Sequence, residues 1–405
     1  MRAIPHRAST VASRDRSASR RRAERVSTTR RHRGVAIARA VAPTYEKVFD
    51  ERTGQDVDVL SQSVERVELG QGVTWAYRRG VAAPKEGATA RETPVVFAHG
   101  LGSRAYGFRA MSRELQENGF ETYAVDVTGH GDSSKPAVGK GLAAYDAAAT
   151  GAAMEAFLEK IGLANDRVDL ILHGFVIPQH LLLLVARRPE LFRRVVILNS
   201  PLAPSHAYPP QMATYTRPFG MGKGAPFDAA GYLYNGNEFA LPGDVLAEYE
   251  KPYVGAEAEA ARAAAEAYVT KSSDLKRLNA EVKNALSARG LPKIRVVWGT
   301  ADRYLDDAPI YDWCADIRAS FSAMRKVGHC SHEDFAPKPP RAAKSSSSRI
   351  CARAPRRHST LCASAKLPLT MVKGKVRSGF ARIRLCNHSK IPIHSFSESD
   401  DGEFV

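Results

Sequence analysis

PVVFAHGLG, residues 94–102, is the stretch on which the reading of the fold turns. Val95 to Ala98 run without a polar break and pass straight into His99-Gly100-Leu101-Gly102. A short, continuous apolar run bounded by glycine suits a strand buried on both faces. Glycines directly behind it let the backbone turn sharply and aim N–H groups into the crevice beyond the strand.

Working outward, the same pattern recurs in FETYAVDVTG (120–129), VDLILHG (168–174), RRVVILNS (193–200), KIRVVWG (293–299) and AMRKVGH (323–329). Helical stretches at 105–118, 143–162 and 178–189 separate these strands, which predicts a doubly wound α/β sheet. Ahead of them, VERVELGQGVTWAYR (64–78) alternates around a Gly-Gln-Gly break, the pattern of a β-hairpin. From Pro201 to Leu291 no strand pattern occurs, and Ala-rich helix dominates, as in AEAEAARAAAEAYV (256–269). A connection of about ninety residues is far beyond ordinary loop length and reads as a helical lid over the sheet's carboxyl edge.

Chemistry-bearing residues collect behind the strands. Asp126-Val-Thr-Gly-His-Gly-Asp-Ser-Ser134 supplies a second Gly-rich loop, 26 residues after Gly100. Trp298-Gly-Thr-Ala-Asp302 places a carboxylate behind a late strand, and Val327-Gly328-His329-Cys-Ser-His-Glu-Asp334 places an imidazole behind the last one. Acid before base, each on a loop past a strand end, is the chain order of α/β-hydrolases.

On these residues, 60–334 resembles an α/β-hydrolase of the epoxide-hydrolase and haloalkane-dehalogenase type. It resembles most closely a plastid-targeted plant and algal branch, through ILNSPL (197–202), WGTADRYL (298–305) and GHCSHED (328–334). The resemblance implies an α/β-hydrolase fold with a mostly parallel eight-stranded sheet, helices on both faces and a helical cap at 202–291. It further implies Asp302 as triad acid, His329 as triad base, and the Leu101 and Ile177 N–H groups as oxyanion donors.

One position departs from that pattern. The nucleophile elbow, G-x-S-x-G or its Asp counterpart, should follow VDLIL, where the chain reads Gly174-Phe175-Val176-Ile177-Pro178. Val176 has no group that can attack. A β-branched residue resists the positive φ of an elbow, and Pro178 biases Ile177 away from the helical region. These two effects predict that the strained turn has relaxed. Ser103, Ser200 and Cys330 lie near the crevice mouth as substitute nucleophiles, but none is on a strand-to-helix turn. Tyr253 of the lid could donate a hydrogen bond to a leaving oxygen. His173 and His332 read as satisfied structural histidines, since no Cys/His spacing matches a zinc site. No cofactor is indicated.

The net charge of +16 sits at the ends. Residues 1–40 hold 12 Arg against Asp15 and Glu24, and 336–405 hold 14 Lys or Arg against four acids, leaving 33 basic and 37 acidic residues between. The Arg- and Ser-rich, acid-poor beginning has the composition of a transit peptide, which predicts a chloroplast stroma location. The aperiodic, Pro- and Ser-rich 336–405 predicts a basic disordered tail. Core segments are then expected at 41–201 and 292–335, flanking a cap at 202–291. No run is long and apolar enough for a membrane span. Of five cysteines only Cys314 and Cys330 fall in the central part, so no disulfide framework is indicated.

The expected function is a hydrolase-like protein with weak or lost hydrolysis that still binds a small apolar ligand. Two alternatives stand beside it. One is an enzyme that uses Asp302 and His329 as a general base without a covalent intermediate. The other is an interaction protein binding nucleic acid or membrane through its basic ends, which the charge partition disfavours.

Overall fold

The computed structural model describes residues 42–50, 55–87 and 89–334. The transit-like segment 1–40 and the basic tail 336–405 lie outside the described residues. Ten strands occur among them: β1 Tyr45–Asp50, β2 Gln55–Leu60, β3 Ser63–Gly70, β4 Val73–Gly80, β5 Val95–Ala98, β6 Thr122–Val125, β7 Val168–His173, β8 Phe192–Leu198, β9 Lys293–Gly299 and β10 Ser320–Met324. β1 and β2 pair with each other, a hairpin that the sequence reading missed. The other eight form one sheet in the order β10-β9-β8-β7-β5-β6-β4-β3. It is parallel from β6 through β10 and antiparallel where β3 pairs with β4 and β4 with β6.

Strand alternation assigns the two faces. Val95, Phe97, Ile171, Val196 and Leu198 meet Phe108, Met111 and Leu115 on one side, where α1 (Arg109–Glu117) packs. Val96, Ala98, Leu170, Leu172, Val195 and Ile197 point to the other, larger core. That side is covered by α2 (Ala147–Lys160) and α3 (Ile177–Arg187), with Met154, Phe157, Leu181 and Leu182 fully buried. At about 1.5–3 kcal/mol per large apolar side chain, these two layers are the main stabilising term.

Between β8 and β9 the chain forms only helices: α4 (Pro210–Ala213), α5 (Ala229–Gly236), α6 (Gly243–Glu250), α7 (Ala258–Lys271) and α8 (Leu275–Leu286), with short 3-10 turns. After β9 come α9 (Ala308–Ile317), β10 and a final turn, α10 (Ser331–Asp334).

The last strand corrects the reading of 323–329. β10 pairs Ser320 with Arg295 through Met324 with Gly299, and pairing ends there because β9 ends. Lys326 then turns at φ 58°. His329 therefore rides on a loop held to the acid's loop, where the N–H groups of Thr300 and Ala301 donate to Met324 and Val327 carbonyls at 3.0 and 2.8 Å.

Candidate active site

The carboxyl ends of β5, β7, β8, β9 and β10 converge, and the side chains beyond them divide into a furnished half and a blank one. In the furnished half, Asp302 Oδ2 lies 2.8 Å from His329 Nδ1, with both side chains buried. The carboxylate is fully tied down. Its Oδ2 also accepts from Asn199 Nδ2 at 2.9 Å, and its Oδ1 accepts from the N–H groups of Tyr304 and Leu305 at 2.8 and 3.1 Å. Asn199 is oriented by the Gly299 N–H, which donates to its Oδ1 at 2.8 Å. The sequence reading did not single out Asn199, although it lies within ILNSPL.

With Nδ1 protonated toward Asp302, His329 Nε2 is an acceptor, and Tyr232 of α5 donates its hydroxyl to it at 2.8 Å. Tyr232 stacks on Tyr304 with ring centroids 5.4 Å apart, and Tyr304 returns its own hydroxyl to the Tyr232 carbonyl at 2.7 Å. Burial holds the Tyr232 hydroxyl well above its ordinary pKa, so it remains a phenol. Tyr232 is thus the tyrosine bonded to His329; Tyr253, considered as a donor to a leaving oxygen, packs on Phe227. No sequence signal distinguished the two.

The rest of GHCSHED has structural duties. Asp334 Oδ2 accepts from the Gly328 and Glu238 N–H groups at 2.7 and 2.9 Å, and Glu333 pairs with Arg109 at 2.6 Å and accepts from the Tyr249 hydroxyl. Cys330 is fully buried, and burial raises its thiol pKa well above normal. His173 Nε2 donates to the His329 carbonyl at 3.0 Å, while its Nδ1 is buried with no hydrogen-bond partner among the described residues, so it is only half satisfied. His332, 4.3 Å from the His173 ring, corrects an expectation: neither of its ring nitrogens has a hydrogen-bond partner among the described residues. Burial and the nearby Arg109 push its pKa down to about 3.

The blank half is the turn from β7 into α3. Val176 sits there at φ 69°, ψ −61°, fully buried, so the expected relaxation of the turn has not occurred. These angles, with Ile177 N–H donating to the Phe175 carbonyl at 2.9 Å, define a γ-turn of the rare positive-φ kind. Holding valine there costs about 1–3 kcal/mol and needs its surroundings to enforce it. Gly100 and Gly174 do so by bringing two backbones together: a Cβ on Gly100 would lie 2.4 Å from Phe175 N. Pro178 does not oppose the turn, because it occupies the first turn of α3, where a backbone N–H has no helical partner.

The same turn decides the oxyanion question. Leu101 N–H donates to the Phe175 carbonyl at 3.0 Å, and Ile177 N–H donates to that same oxygen. Both amides expected as oxyanion donors are occupied by the chain's own carbonyl. Ser200 does not replace the nucleophile, since its hydroxyl donates to the Leu198 carbonyl at 3.1 Å. Ser103 is buried with no partner for its hydroxyl among the described residues, His329 included. Among the described residues no group of three or more His, Cys, Asp and Glu is arranged to hold a metal ion.

Known proteins share this frame. The haloalkane dehalogenase DbeA from Bradyrhizobium elkani USDA94 aligns with a TM-score of 0.55 at 19% identity, covering 68% of this chain and 93% of that one. Cfl2 from Burkholderia cenocepacia aligns with a TM-score of 0.53 at 17% identity, covering 72% and 95%. At such identities the likeness speaks for the fold alone. No curated protein matches the sequence. The family model described as "Alpha/beta hydrolase family" matches residues 95–339, from the first parallel strand to beyond His329. More than half of the chain is covered by that match, and the parallel strands β5 to β10 and the loops of Asp302 and His329 lie inside it: the chain belongs to the alpha/beta hydrolase family.

Proposed function

We propose that this is a plastid α/β-hydrolase-fold protein without nucleophilic hydrolysis, whose crevice binds a small, largely apolar ligand beneath a helical cap. The cap is residues 202–291, set between core segments 41–201 and 292–335. One observation carries the reading: at Val176 there is nothing to attack with, and the Leu101 and Ile177 amides are spent on Phe175. Removing a single oxyanion donor from a working hydrolase costs on the order of 10²–10³ in kcat. Here two donors and the nucleophile are out of action together. The aromatic wall of Phe175, Tyr232 and Tyr304 around His329 favours an apolar or aromatic ligand, one that enters when α5 moves off the base.

A second reading is favoured by the Asp302–His329 pair, whose every oxygen is held in place. Such a dyad could take a proton from a bound ligand without a covalent step. One comparison separates the two. Fluorophosphonate labelling, together with turnover of nitrophenyl esters and epoxides, is measured for the protein and for His329→Ala. The first reading expects no labelling and no turnover in either. Turnover that vanishes in His329→Ala overturns it for the second reading, and stoichiometric labelling of Ser103 or Ser200 overturns both. The chloroplast assignment rests on the composition of residues 1–40. It expects a mature protein, recovered from plastids, that lacks them.

A further inference from the structure

The described surface carries a feature that the site does not use, its most exposed large apolar side chains. Between α4 and α5 the chain reads Arg217-Pro-Phe-Gly-Met-Gly-Lys-Gly224, and Phe219 is 101% exposed, Met221 68%. Phe219 adopts φ 55°, a left-handed conformation that disfavours a side-chain-bearing residue. The segment is pinned nevertheless. Successive turns link Met221 N–H to the Pro218 carbonyl, Lys223 N–H to the Gly220 carbonyl and Ala225 N–H to the Gly222 carbonyl, at 3.3, 2.9 and 3.1 Å. At its base, the buried Tyr215 donates to the Ala225 carbonyl at 2.8 Å. Gly222 is pressed so closely on the Thr214 carbonyl that a Cβ would lie 1.7 Å from it. The result is an ordered protrusion that holds two apolar side chains away from the protein.

Its charge points to what it meets. Arg217 and Lys223 flank the tip, both exposed, and no Asp or Glu occurs from Thr214 to Phe227; the one carboxylate bonded to the segment among the described residues, Glu266 on the Gly224 N–H at 3.0 Å, is itself paired with Arg262. Two side chains are too few for a stable protein interface, which needs about 800 Å² per partner. An apolar tip between cations suits the boundary of an anionic bilayer, where acyl chains receive the tip and headgroups the charges. We infer that Arg217–Gly224 is a membrane-touching wedge that docks this protein on anionic lipid. The inference does not depend on whether the site turns over. It concerns a surface contact only: among the described residues no helix is long and apolar enough to cross a membrane.

The test uses the full chain carrying Phe219→Trp, a change at a position that packs against nothing. The native Trp75, Trp298 and Trp313 are buried, so the unsubstituted protein serves as the blank. Vesicles are made of phosphatidylcholine alone or of an equal mixture with phosphatidylglycerol, each with and without brominated acyl chains. On the anionic vesicles the added tryptophan should shift to the blue and be quenched by the bromines. Adding Arg217→Gln with Lys223→Gln should raise the lipid needed for quenching by about thirtyfold, taking about 1 kcal/mol per base. A residue 219 reporter that stays water-like and unquenched overturns the inference, whether or not the basic ends bring the protein down with the vesicles. A blue shift without lipid, growing with protein concentration, also overturns it and assigns the protrusion to a second copy.

Discussion

The loops carrying Asp302 and His329 and the turn carrying Val176 face each other across the same crevice, yet they are built differently. The acid–base half keeps its side chains: each oxygen of Asp302, both nitrogens of His329 and the amide of Asn199 have partners. The turn half has a positive φ and a close glycine–glycine approach in its backbone, and the side chain it presents there is valine. Backbone geometry here is enforced by neighbours on the sheet, whereas a nucleophile is a single side chain that nothing else in the fold requires. The acid–base half is therefore predicted to be sensitive to protonation and to side-chain deletion, and the turn half to be tolerant.

Acid should produce the largest effect. His99, His130, His173, His180 and His332 are buried, and burial lowers each pKa: to about 4 for His99 and His180, to about 3 for His130 and His332, and well below normal for His173. A histidine whose folded pKa is depressed stays neutral in the fold but takes up a proton on unfolding. Its contribution is complete above about pH 6.5 and is lost as pH falls toward the folded value. Each group contributes about 1.4 kcal/mol per unit below 6.5, so the five together cost on the order of 7 kcal/mol of stability at pH 5.5. Asp126, pushed up by burial, acts in the opposite direction but is one group. Denaturant unfolding at pH 7.5 and pH 5.5 checks this, and equal midpoints would show that the cluster is not buried as described.

Asp302→Ala should be next, at about 3–5 kcal/mol. It leaves His329 Nδ1, Asn199 Nδ2 and two backbone N–H groups buried without their acceptor. A loss under 1 kcal/mol would mean that the dyad is not the tightly held unit seen here.

Much of this was legible in the sequence, and the remainder was hidden for physical reasons. PVVFAHG, VDLIL and KIRVVWG declare the buried parallel strands through unbroken apolar runs. Asp302 and His329 follow from their places behind strands. The position of His329 relative to β10 was misread because Val327 looks like a strand residue, while pairing depends on where β9 ends. Relaxation at Val176 was expected from intrinsic preference, and tertiary contacts with Gly100 and Leu101 outweighed it. Tyr232 was invisible, since which helical residue reaches a distant loop is set by packing and leaves no local pattern. The hairpin β1–β2 was also missed, as YEKVFD and QDVDVL are exposed along most of their described length and carry little apolar signal.

His332→Phe should be a small gain. The imidazole packs 5.1 Å from the Phe108 ring, and both of its nitrogens are buried without partners among the described residues. Replacing it with an apolar ring of similar shape removes that desolvation cost and should stabilise by about 1 kcal/mol at pH 7. It should also flatten the acid dependence by one group. Destabilisation of 2 kcal/mol or more would reveal a polar partner that the imidazole needs.

The smallest effect is expected at Val176 itself, and there the two halves differ most sharply. Val176→Gly removes a fully buried side chain worth about 1.5–3 kcal/mol and adds backbone freedom worth up to about 1 kcal/mol. It also releases the cost of holding a β-branched residue at φ 69°, about 1–3 kcal/mol. At the middle of these ranges the terms nearly cancel, so the net change should lie within about 1 kcal/mol. Val195→Gly is the control, since Val195 is equally buried but lies within β8, where valine is at ease. Its loss should exceed that of Val176→Gly by about 2 kcal/mol, the strain term alone. If denaturant midpoints show equal losses at the two positions, Val176 is not strained and the γ-turn has relaxed. The Phe175 carbonyl would then no longer be held against both amides, and the oxyanion site would be open after all.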